Sequence, residues 1–379
     1  MKKIVLPIFL FFTGYVYSQA QNNSTENKLK FSGDFRFRVE HDWDSKKGDG
    51  TYREDRSRLR YRFRFGAHYA HNDWASFGAQ IRTGNLNDQQ GPHVTLGGKS
   101  GEFSTVALGF EKIYFEAQHK SFKGWIGKNT FPFFKQDELF WNDNVYPEGV
   151  AISFTHPINT IFFNSLNINT AHFIISSNNA TFGQDSYFQG LQMVNKHWDN
   201  KIIFFPGFYY FNALANIPDG KGSFNIRYAI LHLGSTFTLS SQPKIVAGID
   251  FYNNVDDLGS NDSIPVHLND QRKGYVLNVK VGELKEKGDW ALHLYYAHIE
   301  KYAIVDYFAQ NDWGRWDYSG QGASGSRLSN SNGFEFRIGY ALGEKFNLIL
   351  RAYTLRQLVA EQTFKETGKR IRLDLNIGF

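Results

Sequence analysis

The segment RSRLRYRFRFGAHYA, residues 56–70, places arginine at 56, 58, 60, 62 and 64 with Ser57, Leu59, Tyr61 and Phe63 between them. Successive side chains of a strand point to opposite faces. An extended reading therefore sorts Leu59, Tyr61, Phe63, Phe65, Ala67 and Tyr69 onto one face and the five arginines with His68 onto the other. At a helical period the same residues scatter around the axis. One face of this strand needs an apolar environment, and the other needs water and counter-charge. A sandwich in water and a barrel in a membrane both provide that pair of environments.

Composition separates the two. Aromatic residues make up 17% of the 379, including 36 Phe and 20 Tyr, as expected where rings cover a lipid-facing wall and its interfacial girdles. After Ala20 the longest apolar run, IIFFPGFYYF from Ile202, stops at ten residues, half of what a spanning helix needs. Only helices and closed barrels satisfy their backbone groups in lipid, so a membrane-spanning reading of this chain is a barrel. The opening MKKIVLPIFLFFTGYVYSQAQ joins a short basic start to an apolar run and small residues; residues 1–20 read as a cleaved signal peptide and 21–379 as one barrel domain. The absence of cysteine excludes a disulfide scaffold and a lipid-acylated N-terminal Cys. With 42 basic against 37 acidic residues, the charge balance is too even to point to nucleic acid.

Alternating segments recur to the end of the chain, near 31–42, 56–70, 74–84, 105–119, 122–131, 148–156, 161–175, 187–197, 201–212, 223–240, 244–253, 273–284, 289–302, 332–342, 346–357 and 370–379. The connections alternate between tight turns such as Lys120-Ser121 and long polar segments such as 85–104, 254–272 and 303–331. That is the pattern of an all-β, transmembrane, antiparallel up-and-down barrel of about 16 strands, with short periplasmic turns and long extracellular loops. An even count returns both termini to the periplasmic rim. The last strand, RIRLDLNIGF, alternates to a terminal Phe379 and resembles the signal by which Gram-negative outer-membrane proteins engage the barrel assembly machinery.

Barrel closure places the 31–42 strand between the arginine strand and 370–379. The inward residues then include Arg36, Arg38, Arg56, Arg58, Arg60, Arg62, Arg64, Arg82 and Arg372, a basic sector of lumen wall screened by water and salt over about 8 Å. The third long loop, GKNTFPFFKQDELFWNDNVYPEGVAI, carries Asp137, Glu138, Asp143 and Glu148 among Phe131, Phe133, Phe134, Phe140 and Trp141. Rings in such number would leave a large apolar patch in solvent. Residues 132–147 are therefore expected to fold against the inner wall as a constriction, their carboxylates facing the arginines across a transverse field. The competing readings are a purely structural arginine ladder and an extracellular cap.

FSGDFRFRVE, DRSRLRYRFRFGAHY and GWIGKNTFPFFKQDELFWNDNVYPEGVAISF together resemble the "putative porin" family of Bacteroidetes outer membranes. Its members share a Gly-Asp-x-Arg-x-Arg opening, an arginine-rich second strand and a Trp-x-Asp-x-x-x-Pro-Glu-Gly motif. The resemblance covers the N-terminal half well and the rest in pattern. It implies an integral outer-membrane channel for small hydrophilic solutes, in a family whose solutes are poorly defined. More distantly, the arginine strands are similar to those of alginate-export barrels, though this chain is short for that group and its acidic loop would oppose a polyanion.

Other motifs carry less. GQGASGSR at 320–327 has Ser326 where a nucleophile elbow needs glycine. The 12 histidines are dispersed, with no metal-ligand spacing. A His293–Asp289 pair would need three-dimensional assembly. Asp256, Asp257, Asn261 and Asp262 form an oxygen-rich loop without EF-hand spacing, and Trp313 and Trp316 stand in a loop suited to sugar stacking or to simple packing. The sequence thus points to a porin passing small hydrophilic solutes with an anion preference, without cofactor or metal, in contact with outer-membrane lipid and able to form a homotrimer. The alternatives are a solute-specific or anionic-polysaccharide export channel, and a barrel enzyme.

Overall fold

The computed structural model describes residues 28–98, 103–158, 160, 163–177, 181–216, 224–314 and 329–379. The signal-peptide reading, the glycine-rich segment 320–327 and Trp316 lie outside the described residues.

Sixteen wall strands form one closed antiparallel sheet. They are β1 (Leu29–Trp43), β2 (Arg56–Ala70), β3 (Ala75–Thr83), β4 (Leu108–His119), β5 (Phe122–Lys128), β6 (Glu148–Pro157), β7 (Ser165–Ser176) and β8 (Ser186–His197). There follow β9 (Ile202–Phe204 with Gly207–Ala215), β10 (Asn225–Ser241), β11 (Lys244–Asn254), β12 (Lys273–Gly282), β13 (Trp290–Ile299), β14 (Ser331–Gly343), β15 (Phe346–Gln357) and β16 (Thr367–Gly378). β1 pairs with β16, from Asp34 opposite Gly378 to Trp43 opposite Lys369, and this closes the ring. Every expected strand is present.

Alternation sets what each face meets. On β2, Leu59 and Tyr69 are exposed on the outer surface, whereas Arg62 and Arg64 are buried inside. Phe31, Phe77, Ile126, Leu233, Leu277, Leu294, Phe336 and Leu373 continue the apolar outer band around the barrel. Such a band is what lipid contact requires. Among the described residues no helix is long and apolar enough to cross a membrane.

Two departures from a plain barrel prepare the interior. β3 ends at Thr83, so the upper part of β2 would lack a neighbour; the loop after β3 turns back and supplies one, with Val94–Thr95 pairing against Tyr61 and Arg60. β9 is interrupted at Phe205-Pro206, since proline has no N–H to donate to a ladder. The break turns the Phe205 ring inward, where it is fully buried and meets Phe134 edge-on at 4.7 Å.

Candidate functional site

The two halves of the lumen are lined by different chemistry. From β5 to β11 the inward residues include Trp125, Phe173, Phe188, Tyr209, Phe211 and Tyr252, all buried. This is an apolar seat, and the loop between β5 and β6 occupies it. Phe131 stacks on Trp141 at 4.2 Å, Phe140 on Tyr252 at 5.2 Å, and Phe133 meets Tyr209 edge-on at 5.3 Å. Gly190 and Gly248 face the loop, and a Cβ at either would overlap Phe133 or Gln136.

Polar contacts fix the loop's register on that seat. Gln192 acts as a substitute strand: Phe134 N–H donates to its Oε1 at 2.7 Å, and its Nε2 donates to Phe134 C=O at 2.8 Å. Gln136 Nε2 donates to Asp250, which also bonds His232 at 2.7 Å. Lys280 Nζ donates to Gln136 C=O at 2.8 Å. Two further loops lock the arrangement from above: Asn142 N–H donates to Phe308 C=O at 2.8 Å and Gln310 N–H to Glu138 C=O at 3.0 Å, while Gln90 Nε2 donates to Ala309 C=O at 2.8 Å.

The opposite wall, from β14 round to β4, carries the charge. Across the β1–β2 pairing Asp34 stands opposite Arg64, Arg36 opposite Arg62, Arg38 opposite Arg60, Glu40 opposite Arg58 and Asp42 opposite Arg56. The two central rungs are thus arginine against arginine, an arrangement destabilising in itself. Relief comes from the flanks. Arg38 makes a bidentate pair with Asp374 at 2.6 and 2.9 Å, and Arg62 reaches diagonally to Asp34 at 3.0 Å through Nε. Glu40 bonds Arg58 and, at 2.5 Å, Arg372. Asp42 serves Arg56 at 2.8 Å and also Arg370. Arg64 bonds Glu111 at 2.6 Å, and Arg82 lies 3.6 Å from the same carboxylate.

Within the β1–β2 ladder two cations receive no such partner. Arg36 donates to the neutral Asn376 at 2.6 Å, with its nearest carboxylate, Asp374, at 4.0 Å. Arg60 has Glu40 at 3.9 Å and a backbone oxygen, that of His93, at 3.4 Å. The ladder is therefore partly compensated by its own carboxylates and partly uncompensated. Its free side lines a chamber of about 390 Å³ that Glu138, Asp143, Asn144 and Asp312 bound from the loop side. A second cavity of about 630 Å³ shares Asp88 and Asn144 with it and opens among Leu86, Tyr146, Tyr307 and Phe308.

The acidic residues expected to oppose this wall divide. Glu138 and Asp143 border the arginine chamber; Asp143 also holds Lys135 of its own loop. Burial, then the nearby Asp143, pushes the Glu138 carboxyl upward. Asp137 does not border the chamber: it turns toward Asp250 and Lys280, and burial, reinforced by Asp250, pushes its carboxyl up to about 7. Glu148 is a correction, for it is the first residue of β6 and pairs across the sheet with Lys128 at 2.6 Å. Strand alternation puts it on the same exposed face as Val150 and Ile152, away from the seated loop.

The carboxylate that closes on the wall is one the sequence reading missed. Asp312, from the loop after β13, reaches Arg372 at 2.5 Å and Arg38 at 4.0 Å, and its C=O accepts from Arg370 at 2.7 Å. Burial alone would raise its carboxyl, but the Arg372, Arg38 and Arg351 guanidiniums outweigh burial and hold it well below the usual range. No local pattern marks it. Glu335, Arg337 and Arg351 were also missed, although they obey the same period-two rule on β14 and β15.

The secondary motifs find ordinary partners. Asp256 lies 3.6 Å from Arg227, Asp257 accepts from Gly259 N–H at 3.1 Å, and Trp313 is buried with its Nε1 on Glu335 at 3.1 Å. Among the described residues no cluster of three or more His, Cys, Asp or Glu could hold a metal ion. Asp289 accepts the Lys285 and Glu286 N–H groups of its own turn, not His293. His41 does reach Ser57 at 2.9 Å, on the outer face with His41 stacked on Trp43, and His232 reaches Asp250, sealed beneath the seated loop.

A closed sixteen-strand barrel with an apolar outer band, a charged inner wall and a loop seated inside defines the class by its fold: a β-barrel of the outer-membrane type. Residues 50–212, which span the arginine strand and the seated loop, match the model of the family described as "Putative porin". No curated protein matches the chain. Solved structures show the same fold at low identity. Pseudomonas putida OprB is 12% identical with a TM-score of 0.56, covering 93% of this chain and 94% of that one. A Rhodopseudomonas blastica porin variant is 11% identical at 0.52, covering 92% and 100%. Salmonella typhi OmpF is 10% identical at 0.53, covering 93% and 97%.

Proposed function

We propose that the chain passes small hydrophilic solutes with a preference for anions, the 132–147 loop acting as the constriction and the arginine wall as the selectivity element. The observation that carries this is the central block of Arg36, Arg38, Arg60 and Arg62, two of which lack a carboxylate within hydrogen-bonding distance while all four line the free chamber. A wall of fixed positive charge in a confined, weakly screened passage raises the local concentration of anions and repels cations. In each rung one arginine has its carboxylate, Arg38 on Asp374 and Arg62 on Asp34, and for Arg60 and Arg36 water or a passing anion supplies the balance.

The small chamber supports diffusion of small solutes over export of a polysaccharide, because three interlocked loops bound it. Channel function agrees with the family match and the fold; no chemical step is invoked. We extend the reading to assembly: the C-terminal strand ending in Phe379 engages the barrel assembly machinery, and the barrels associate as a homotrimer in the outer membrane.

The test is the reversal potential of the refolded mature chain in a planar bilayer under a potassium chloride gradient. Anion preference that falls by several-fold in an Arg60→Gln, Arg62→Gln variant is expected. Cation preference in the parent, or an unchanged reversal potential in the variant, would refute the assignment.

A further inference from the structure

The proposed anion preference does not require that any anion stop in the channel, yet the arginine chamber has the features of a binding site. Three observations converge there. Arg36 and Arg60 are diagonal neighbours across the β1–β2 pairing, and each has its nearest carboxylate 3.9–4.0 Å away. The Nε–H groups of Arg58, Arg60 and Arg64 are buried without an acceptor. A buried donor left unpaired costs its full desolvation penalty, and three on one strand face are a standing demand for oxygen atoms.

The third observation is His93. Its backbone is held beside Arg60 by the pairing of Val94–Thr95 to β2, and its ring lines the chamber with Nε2 buried and unpartnered. Burial, then the surrounding Arg38, Arg60, Arg36 and Arg62 guanidiniums, keep the imidazole neutral. A neutral ring surrounded by four cations can give one hydrogen bond to an oxyanion, or accept one from a hydroxyl, without adding charge.

We propose that this chamber is a saturable site for a small phosphate monoester on a hydroxylated body, such as a sugar phosphate, with the phosphate between Arg36 and Arg60 and beside His93; the proposal rests on the anion-channel reading above. Guanidinium forks match phosphate oxygens bidentately, and two undercompensated cations match a dianion. A bare phosphate does not use the space: about 390 Å³ is the liquid share of about a dozen waters at about 30 Å³ each. The remainder is bordered by the Asn311 amide, suited to a hydroxyl group, and by Gln90 and Asn144, whose amides are engaged with Ala309 C=O and Asn142. Asp312, held by Arg372 and Arg38 at the edge of the chamber, shows in the protein's own chemistry that this wall binds a carboxylate brought to it.

The experiment is chloride current through the refolded full chain in a planar bilayer, titrated with glucose 6-phosphate, inorganic phosphate and glucose. Saturable block by glucose 6-phosphate at lower concentration than inorganic phosphate, and none by glucose, is expected. Arg36→Gln with Arg60→Gln should raise the half-blocking concentration by about tenfold or more, as loss of charge-assisted hydrogen bonds implies. Arg60→Lys, which keeps the charge and removes the fork, guards against a folding defect and should weaken block while chloride selectivity persists. Chloride current without saturable block, equal block by inorganic phosphate, or block unchanged in both variants would overturn the site while leaving the channel reading intact. A folded barrel with no chloride current would overturn both.

Discussion

Gln192 holds the seated loop to the wall, and its replacement by leucine isolates that role. The side chain is fully buried; it accepts from Phe134 N–H at 2.7 Å and donates to Phe134 C=O at 2.8 Å and to Tyr209 Oη at 3.1 Å. Its backbone belongs to the β8 ladder, which the substitution leaves intact. Leucine preserves volume but strands two backbone groups of the loop in an apolar seat. At about 1–3 kcal/mol for each unsatisfied buried group, the seated state loses about 2–6 kcal/mol. That raises the population of the unseated loop by roughly 30-fold to 10⁴-fold, at about 1.4 kcal/mol per decade. Trypsin reads this directly, because Lys135 lies on the loop with its Nζ on Trp141 C=O at 2.6 Å. When reclosing is fast, cleavage tracks the open population, so cutting after Lys135 should accelerate by about 30-fold or more while the barrel keeps its folded electrophoretic mobility. Single-channel records should show added current fluctuation. Parental cleavage rates and quiet records in a folded Gln192→Leu barrel would refute the claim that this amide seats the loop.

Three other outcomes follow from the same geometry. The Asp137 carboxyl, raised from 3.8 to about 7, keeps its proton in the folded protein between those values; its contribution to stability is complete below pH 3.8 and lost as pH rises through 7. Loop seating, read by trypsin, should therefore loosen from pH 6 to 8 in the parent, and Asp137→Asn should flatten that dependence. Asp374→Ala removes a fully buried carboxylate that Arg38 grips bidentately, and leaving that guanidinium unpaired should lower stability in urea by about 3–5 kcal/mol. A parental unfolding curve for that variant would contradict the pairing. Leu373→Arg places a charge on the exposed outer face of β16 and should cost about 2–4 kcal/mol of folding free energy in lipid vesicles if it sits at the bilayer midplane, whereas folding unaffected in lipid would contradict the outward assignment.

The barrel was legible because its signal is local. A period-two pattern with an arginine at five successive inward positions, as on β2, leaves no ambiguity about which face meets water, and tight turns alternating with long loops fix the order of the hairpins. The seated loop was legible by a different argument: Phe131, Phe133, Phe140 and Trp141 could not remain in solvent. Its landing place was not. On β8 and β9, Phe188, Tyr209 and Phe211 point inward while Leu191, Phe208 and Tyr210 point outward, so both faces are apolar or aromatic and alternation carries no information. Only the three-dimensional fit of Phe133 over Gly190 identifies the inner face as a seat. The pairing of charge escaped for a related reason. Asp312 and Arg38 are distant in sequence and meet because a loop descends the lumen, whereas Glu40 and Arg58 meet because register requires it. Local alternation thus specifies a wall, but the passage through it is set by what long loops find on that wall. Here an apolar half captures the loops and thereby leaves the arginine half open, so the aromatic residues that seat the loops determine which residues line the free chamber.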